Sequence, residues 1–231
     1  MVKLKVGMKG VILAGGQGTR LRPLTYLSNK HLLPVYDKPM ILYPIETMKS
    51  MGITDILLVT GGEHVGSFAD FLGDGSDYGI KLTYKIQKEA GGIAQALALA
   101  EDYVDGQFAV MLGDNIFEWS VVPPKGCGIV LKEVDDAKRF GVYHQGVIEE
   151  KPENPQSKMA VTGLYFYTPE VFDFVNTLEP SERGEMEITD VNNWCLKNLD
   201  MTAINYDGFW SDAGTFDSLL NSANFIKKNS Q

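Results

Sequence analysis

Lys9-Gly10-Val11-Ile12-Leu13-Ala14 reads as a buried strand, and it runs without a break into Gly15-Gly16-Gln17-Gly18-Thr19-Arg20. Glycine tolerates positive φ and lets backbone N–H groups approach a ligand, so glycines gathered at a strand end suit a phosphate cradle. A tight turn with no ligand is the plainer reading of the same residues. Spacing removes two nucleotide motifs. The dinucleotide fingerprint G-x-G-x-x-G would need glycine where Leu21 stands, and the P-loop pattern G-x-x-x-x-G-K-S/T occurs nowhere in the chain.

Beyond the loop, apolar runs bounded by turn residues alternate with segments of helical period, the pattern of βαβ units and a mainly parallel sheet. Strands are predicted over 9–14, 55–60, 81–87, 108–112, 128–132 and 159–167, with 142–148 folding as a hairpin at Gln145-Gly146. Helices are predicted over 39–51, 63–72, 92–103, 169–176, 188–198 and 216–228. The expected fold is α/β and Rossmann-like: a mainly parallel mixed sheet flanked by helices, with an inserted antiparallel portion around 126–167. Residues 1–8 read as a leader, and 9–231 as one domain uninterrupted by repeats or low-complexity linkers.

Of the 231 residues, 44% are hydrophobic and 22% charged, the make-up of an ordinary globular protein. No apolar run reaches the roughly 18 to 20 residues of a membrane span, and residues 1–7 lack the apolar core of a secretory signal, so a cytoplasmic protein without membrane partners is expected. Cys127 and Cys195 form no Cys-x-x-Cys and join no Cys/His cluster; both read as free, packed thiols. A net charge of -9 argues against nonspecific nucleic-acid binding. Residues 1–40 nevertheless hold seven basic groups against Asp37 alone, a net +6, which leaves 14 basic and 29 acidic groups, a net -15, for the rest. A small anion would be drawn to that one region.

Arg20 and Lys30 put a planar fork and a point charge beside the glycine loop. Phe108-Ala109-Val110-Met111-Leu112 reads as a buried strand that stops at Gly113-Asp114-Asn115, and ligands of open α/β sheets gather at such carboxyl ends. Asp114 suits a hard cation, and Asp212, in Trp210-Ser211-Asp212-Ala213-Gly214, is a second acid to complete the site; helix capping or a turn is the alternative for either alone. Alternation sends Glu150 and Lys151 to opposite faces unless the strand ends or twists there, as Pro152 allows. Arg139-Phe140-Gly141-Val142 and Val161-Thr162-Gly163-Leu164-Tyr165 are candidate pocket walls, with core packing the competing explanation for Val161 and Tyr165.

The stretch from Leu13 to Val35 is similar to the signature of sugar nucleotidyltransferases, closely so to that of glucose-1-phosphate thymidylyltransferases, and the resemblance covers nearly all of residues 9–228. It implies Mg2+-dependent transfer from dTTP to glucose 1-phosphate, giving dTDP-glucose and pyrophosphate, with Arg20, Lys30, Asp114 and Lys151 catalytic and Asp114 and Asp212 on the metal. Leu13, Gly15, Gly16, Gly18, Thr19 and Asn115 would meet substrate. Gln87 and Gly92 would read the base, thymine and uracil alike. Glu150 would accept sugar hydroxyls, Lys151 would contact the attacking phosphate, and Gly141, Val161 and Tyr165 would wall the sugar. A uridylyltransferase making UDP-glucose or another UDP-sugar is the nearest rival, and a non-catalytic sugar-nucleotide sensor or regulatory subunit the rival of another class. A homo-oligomer is left open.

The sequence departs from the family where eleven residues, with Pro123-Pro124, stand between Phe117 and Ile129 in place of a usual helix, and in a short hairpin at His144-Gln145-Gly146. The sequence also ends at Gln231, short of the C-terminal helical region of longer thymidylyltransferases.

Overall fold

The computed structural model of the chain describes residues 7–230; residues 1–6, most of the expected leader, and residue 231 lie outside the described residues. β1 (Lys9–Ala14) leads through short 3-10 turns to a two-residue ladder of β2 (Pro34–Val35) with β3 (Lys38–Pro39), then to α1 (Leu42–Ser50). β4 (Asp55–Gly61), α2 (Val65–Leu72), β5 (Lys81–Gln87), α3 (Ile93–Ala98) and β6 (Phe108–Leu112) follow. Next come β7 (Ile116–Phe117), β8 (Cys127–Glu133), β9 (Gly141–His144), β10 (Val147–Glu150) and β11 (Met159–Tyr167). The chain continues through α4 (Val171–Val175), α5 (Ile188–Asn198), β12 (Met201–Asn205), β13 (Trp210–Ser211) and α6 (Phe216–Asn229).

The main sheet runs β10-β9-β11-β6-β1-β4-β5, with β8 on β11 and β12 on β8. β6, β1, β4 and β5 are mutually parallel, while β11 enters antiparallel to β6. The apolar strands owe their lack of alternation to burial on both faces. Val11, Leu13, Leu57, Val59 and Val110 face one core with residues of α3, α4 and α5; Ile12, Ala14, Ile56, Leu58 and Met111 face a second core with residues of α1 and α2. No helix among the described residues is long and apolar enough to cross a membrane. The α/β, Rossmann-like architecture is as expected, and the predicted insertion appears as β8 to β11, antiparallel within itself.

The helix predicted over 39–51 starts only at Leu42, because Lys38-Pro39 pairs with Pro34-Val35. The helix predicted over 92–103 stops being α-helical at Ala98; Ala100 and Tyr103 instead close i to i-3 turns, and Lys85 Nζ takes the Leu99 carbonyl at 2.8 Å. Strands β7, β12 and β13 have no counterpart among the strands predicted from sequence, two being only a residue pair and β12 half-exposed. Residues 118–126 form a loop pinned by Tyr206, whose hydroxyl takes the Trp119 N–H, and by Gln107, which donates to the carbonyls of Pro124 and Gly126. Cys127 and Cys195 are free and buried, as read from the sequence.

β11 changes neighbours along its length. Ala160 pairs with Val142 of β9, Leu164 pairs with Met111 of β6, and the ladder to β8 shifts register between Val161 and Tyr165. Gly163 sits at this shift, where a Cβ would lie 2.6 Å from Asn115 Nδ2. The missing side chain is what admits Asn115, the residue next to the candidate metal ligand.

Candidate active site

A cavity of about 720 Å³ opens at the carboxyl ends of β1, β5 and β6, and every site residue singled out from the sequence lines it, from Leu13 on β1 to Asp212 beyond β13. Gly18 enters the first 3-10 turn at φ 64, with its carbonyl taken by Thr25 Oγ1 at 2.8 Å. A Cβ there would meet Lys30 Cβ and Thr25 Cγ2 at 2.9 Å, so glycine is required both by backbone angle and by space. The stem of Lys30 thereby lies against the loop, its Cε 3.4 Å from where a Cβ of Gly16 would be.

Lys30 Nζ donates to Asp114 Oδ2 at 2.5 Å, and Asn115 Nδ2 donates to Asp114 Oδ1 at 2.9 Å. Burial pushes the Asp114 carboxyl up, but the Lys30 ammonium and the hydrogen bonds from Lys30 and Asn115 outweigh it, so the group sits below the usual carboxylate range. Asn115 Oδ1 in turn accepts from Gly163 N at 2.9 Å and from Trp210 Nε1 at 2.7 Å. Predicted as a substrate contact, Asn115 thus gives these side-chain bonds to the protein and holds Asp114 in place. Behind it, His31 is buried, with Nδ1 2.7 Å from Asn29 Oδ1; the same oxygen accepts the His31 backbone N–H, which makes Nδ1 the protonated nitrogen. Burial, reinforced by Lys30, lowers its pKa to about 3, so the ring stays neutral.

Asp212 follows β13 and accepts from Arg139 Nη2 at 2.7 Å. The Arg139 guanidinium lies 5.1 Å from the Phe140 ring centroid, and Phe140 lies 5.1 Å from Trp210. The two candidate metal carboxylates are therefore joined by one chain of contacts, from Asp114 through Asn115, Trp210, Phe140 and Arg139 to Asp212. Sequence reasoning named Arg139 only within a pocket wall and missed its charge pairing, which no local pattern signals across 73 positions.

Also on the cavity lining, β10 ends at Glu150 and Lys151 turns at φ 44, which brings both side chains onto the cavity despite strand alternation. Thr189 Oγ1 donates to Glu150 Oε2 at 2.5 Å, while Lys151 Nζ is 3.0 Å and Arg183 Nη2 3.4 Å from Oε1. Burial raises the Glu150 carboxyl, and these three partners together bring it below its ordinary value. Thr189 and Arg183 were not singled out from the sequence; the dense run Arg183-Gly184-Glu185-Met186-Glu187 was the available signal. Gly141, Val161 and the buried Tyr165 complete this wall. Gln87, at the end of β5, lies against Gly15, where a Cβ would come 2.3 Å from Gln87 Oε1.

Parallel strand ends, a glycine turn and fixed cations belong to the α/β enzymes that act on nucleotide phosphates. The family model described as nucleotidyl transferase matches residues 9–229, and the chain belongs to that family. It is 42% identical to a glucose-1-phosphate thymidylyltransferase of Neisseria meningitidis serogroup A over 238 residues, covering 95% of this chain and 83% of the relative. A second thymidylyltransferase, from Xanthomonas campestris, is 42% identical over 237 residues, covering 95% of this chain and 80% of that one. Among solved structures, one from Bacillus anthracis assigned as a glucose-1-phosphate thymidylyltransferase, in complex with a sucrose, superposes with TM-score 0.90 at 46% identity, covering 96% of each chain. A UDP-glucose pyrophosphorylase bound to UDP-glucose shares the fold at TM-score 0.82 and 24% identity, covering 96% of this chain and 99% of that one. The chain is a nucleotidyltransferase, whose substrates are a nucleotide and a sugar phosphate.

Proposed function

We propose that the protein transfers a thymidylyl group from dTTP to glucose 1-phosphate in the cytosol, giving dTDP-glucose and pyrophosphate, with Mg2+ on Asp114 and Asp212. The observation that carries this reading is the convergence of both carboxylates on one cavity, each matched by a cation of the chain, with Lys151 and Arg183 on the same lining. Among the described residues, no group of three or more His, Cys, Asp or Glu side chains gathers to hold a metal. Two carboxylates without a third suit Mg2+, which takes one or two from protein and fills its shell with phosphate oxygens and water. Bound there, the ion supplies neutralisation of phosphate charge.

The glycine loop and Arg20 bind the triphosphate and stabilise the departing pyrophosphate. Glu150, held ionised, accepts hydroxyls of the sugar, and Lys151 offsets repulsion between two anionic substrates. An oxygen of the sugar phosphate bonds to the α-phosphorus as the bond to the bridging oxygen of pyrophosphate breaks. That oxygen is already ionised near neutral pH, so positioning and charge neutralisation carry the step and no strong base is needed. The identities near 42% to named thymidylyltransferases support dTTP and glucose 1-phosphate as the pair. The test is a product assay by mass spectrometry with dTTP, UTP, dCTP and ATP against several sugar 1-phosphates. dTDP-glucose as the fastest product is expected; a UDP-sugar formed faster would replace this reading with the uridylyl one.

A further inference from the structure

We propose that Gln95 sets base specificity: it fixes the amide of Gln87 so that an acceptor oxygen, and no donor, faces the nucleobase. The inference rests on the proposed function, with Gln87 beside the base, and adds a residue that acts through it. A side-chain amide carries donors on one arm and an acceptor on the other, and nothing intrinsic prefers one orientation. Here backbone groups, whose roles are not interchangeable, decide it.

The Gly91 N–H can only donate, and it lies 3.0 Å from one arm of the Gln95 amide, which must therefore be Oε1. That oxygen is 2.8 Å from one arm of Gln87, which must then be Nε2. The same nitrogen lies 3.2 Å from the Gly92 carbonyl, which can only accept. Both hydrogens of Gln87 Nε2 are thus directed at protein. Oε1 of Gln87 has no donor among the described residues, and none of their buried side-chain nitrogen or oxygen atoms lacks a partner. The atom therefore opens onto the cavity, beside Gly15. The frame is rigid. Gly92 stands at φ 103 with Met186 backbone 2.5 Å from where its Cβ would be, and the Met186 N–H bonds the Gly91 carbonyl at 2.8 Å.

An acceptor presented to the base edge pairs with the ring N–H of thymine or uracil. Cytosine and adenine offer a bare ring nitrogen at the corresponding place, so two acceptors would meet. Turning the Gln87 amide over to rescue them would set its oxygen against both the Gly92 carbonyl and Gln95 Oε1. A site built around a hydrogen bond rejects the analogue that lacks it far more strongly than a shape-only pocket does.

The experiment compares kcat/KM for dTTP and dCTP, by pyrophosphate release at saturating glucose 1-phosphate, in the wild type, Gln95→Met and Gln95→Glu. The wild type is expected to favour dTTP by on the order of a hundredfold or more. Gln95→Met, which removes the acceptor, should cut that preference by about tenfold. Gln95→Glu, whose carboxylate accepts the same two N–H groups, should keep it. Proportional loss with both nucleotides in Gln95→Met, leaving the ratio unchanged, would make Gln95 merely structural and overturn the proposal, as would a wild type with no preference. Lack of turnover with every nucleotide would instead contradict the proposed function; the ratio of the two dissociation constants, read from tryptophan fluorescence, then decides the role of Gln95 in the same way.

Discussion

Arg139 places Nη2 2.7 Å from Oδ2 of Asp212 and so ties the turn before β9 to the loop after β13. A carboxylate proposed to hold metal is thus matched by an arginine of the chain itself. Arg139 competes with a cation for that oxygen, and its removal leaves the acid freer to bind one. Arg139→Gln should tighten Mn2+ binding to the nucleotide-free protein several-fold, measured by electron paramagnetic resonance of free Mn2+. Unchanged or weaker binding would mean that Asp212 is no metal ligand.

Lys30 and Asp114 form the tighter pair, with only 14% and 10% of their side chains exposed. Removing one member leaves a largely buried charge without its partner, whereas removing both leaves none. Lys30→Met should lower unfolding stability by about 3 kcal/mol, and Lys30→Met combined with Asp114→Leu should recover most of the loss, as read from urea midpoints at constant slope. A double variant less stable than Lys30→Met would count against this assignment.

His31 gives the fold a pH dependence of its own. Its folded pKa is lowered to about 3, by burial first and Lys30 second, against about 6.5 in an unfolded chain. Between those values the unfolded chain binds a proton that the folded chain refuses, so stability falls as pH falls, by up to about 1.4 kcal/mol per unit. Asp114 and Glu150, held below their ordinary values, add their own loss only as pH falls below about 5. Urea unfolding from pH 7.5 to 5 should show the decline in the wild type and a flatter profile in His31→Gln. Equal slopes would assign the decline to other groups.

Thr189 donates the 2.5 Å hydrogen bond to Glu150 Oε2, on the wall proposed to hold the sugar. Thr189→Val preserves shape and removes the donor, at a cost of about 1.5 kcal/mol for a bond to a charged group. The expected outcome is an approximately tenfold rise in KM for the sugar phosphate with KM for the nucleotide unchanged. Steady-state kinetics varying each substrate in turn decides it, and an equal rise in both would place Glu150 outside the sugar site.

The parallel half of the fold was legible because β1, β4 and β6 are apolar on both faces and run into Gly15, Gly61 and Gly113, a pattern that few other arrangements satisfy. β12 was illegible for the opposite reason: Met201-Thr202-Ala203-Ile204-Asn205 is a half-exposed edge, and its partner β8 lies far back in the chain. At the site, Asp114, Lys30 and Arg20 could be found because each adjoins a strand end or the glycine loop. Arg139, Thr189 and Gln95 could not, since their roles lie in which atom meets which across the cavity. Glu150 and Lys151 fall between, their shared orientation depending on a left-handed turn at Lys151 that Pro152 only suggested.

Asp114 and Arg20 are proposed to serve one reaction that joins a nucleotide to a sugar phosphate. Pyrophosphate release measured with dTTP, glucose 1-phosphate and Mg2+, each omitted in turn, tests it most directly. Release that requires all three, and that falls by at least about a hundredfold in Asp114→Ala and in Arg20→Ala, is the result expected. Near wild-type release from either variant, or release that persists without the sugar phosphate, would contradict the claim.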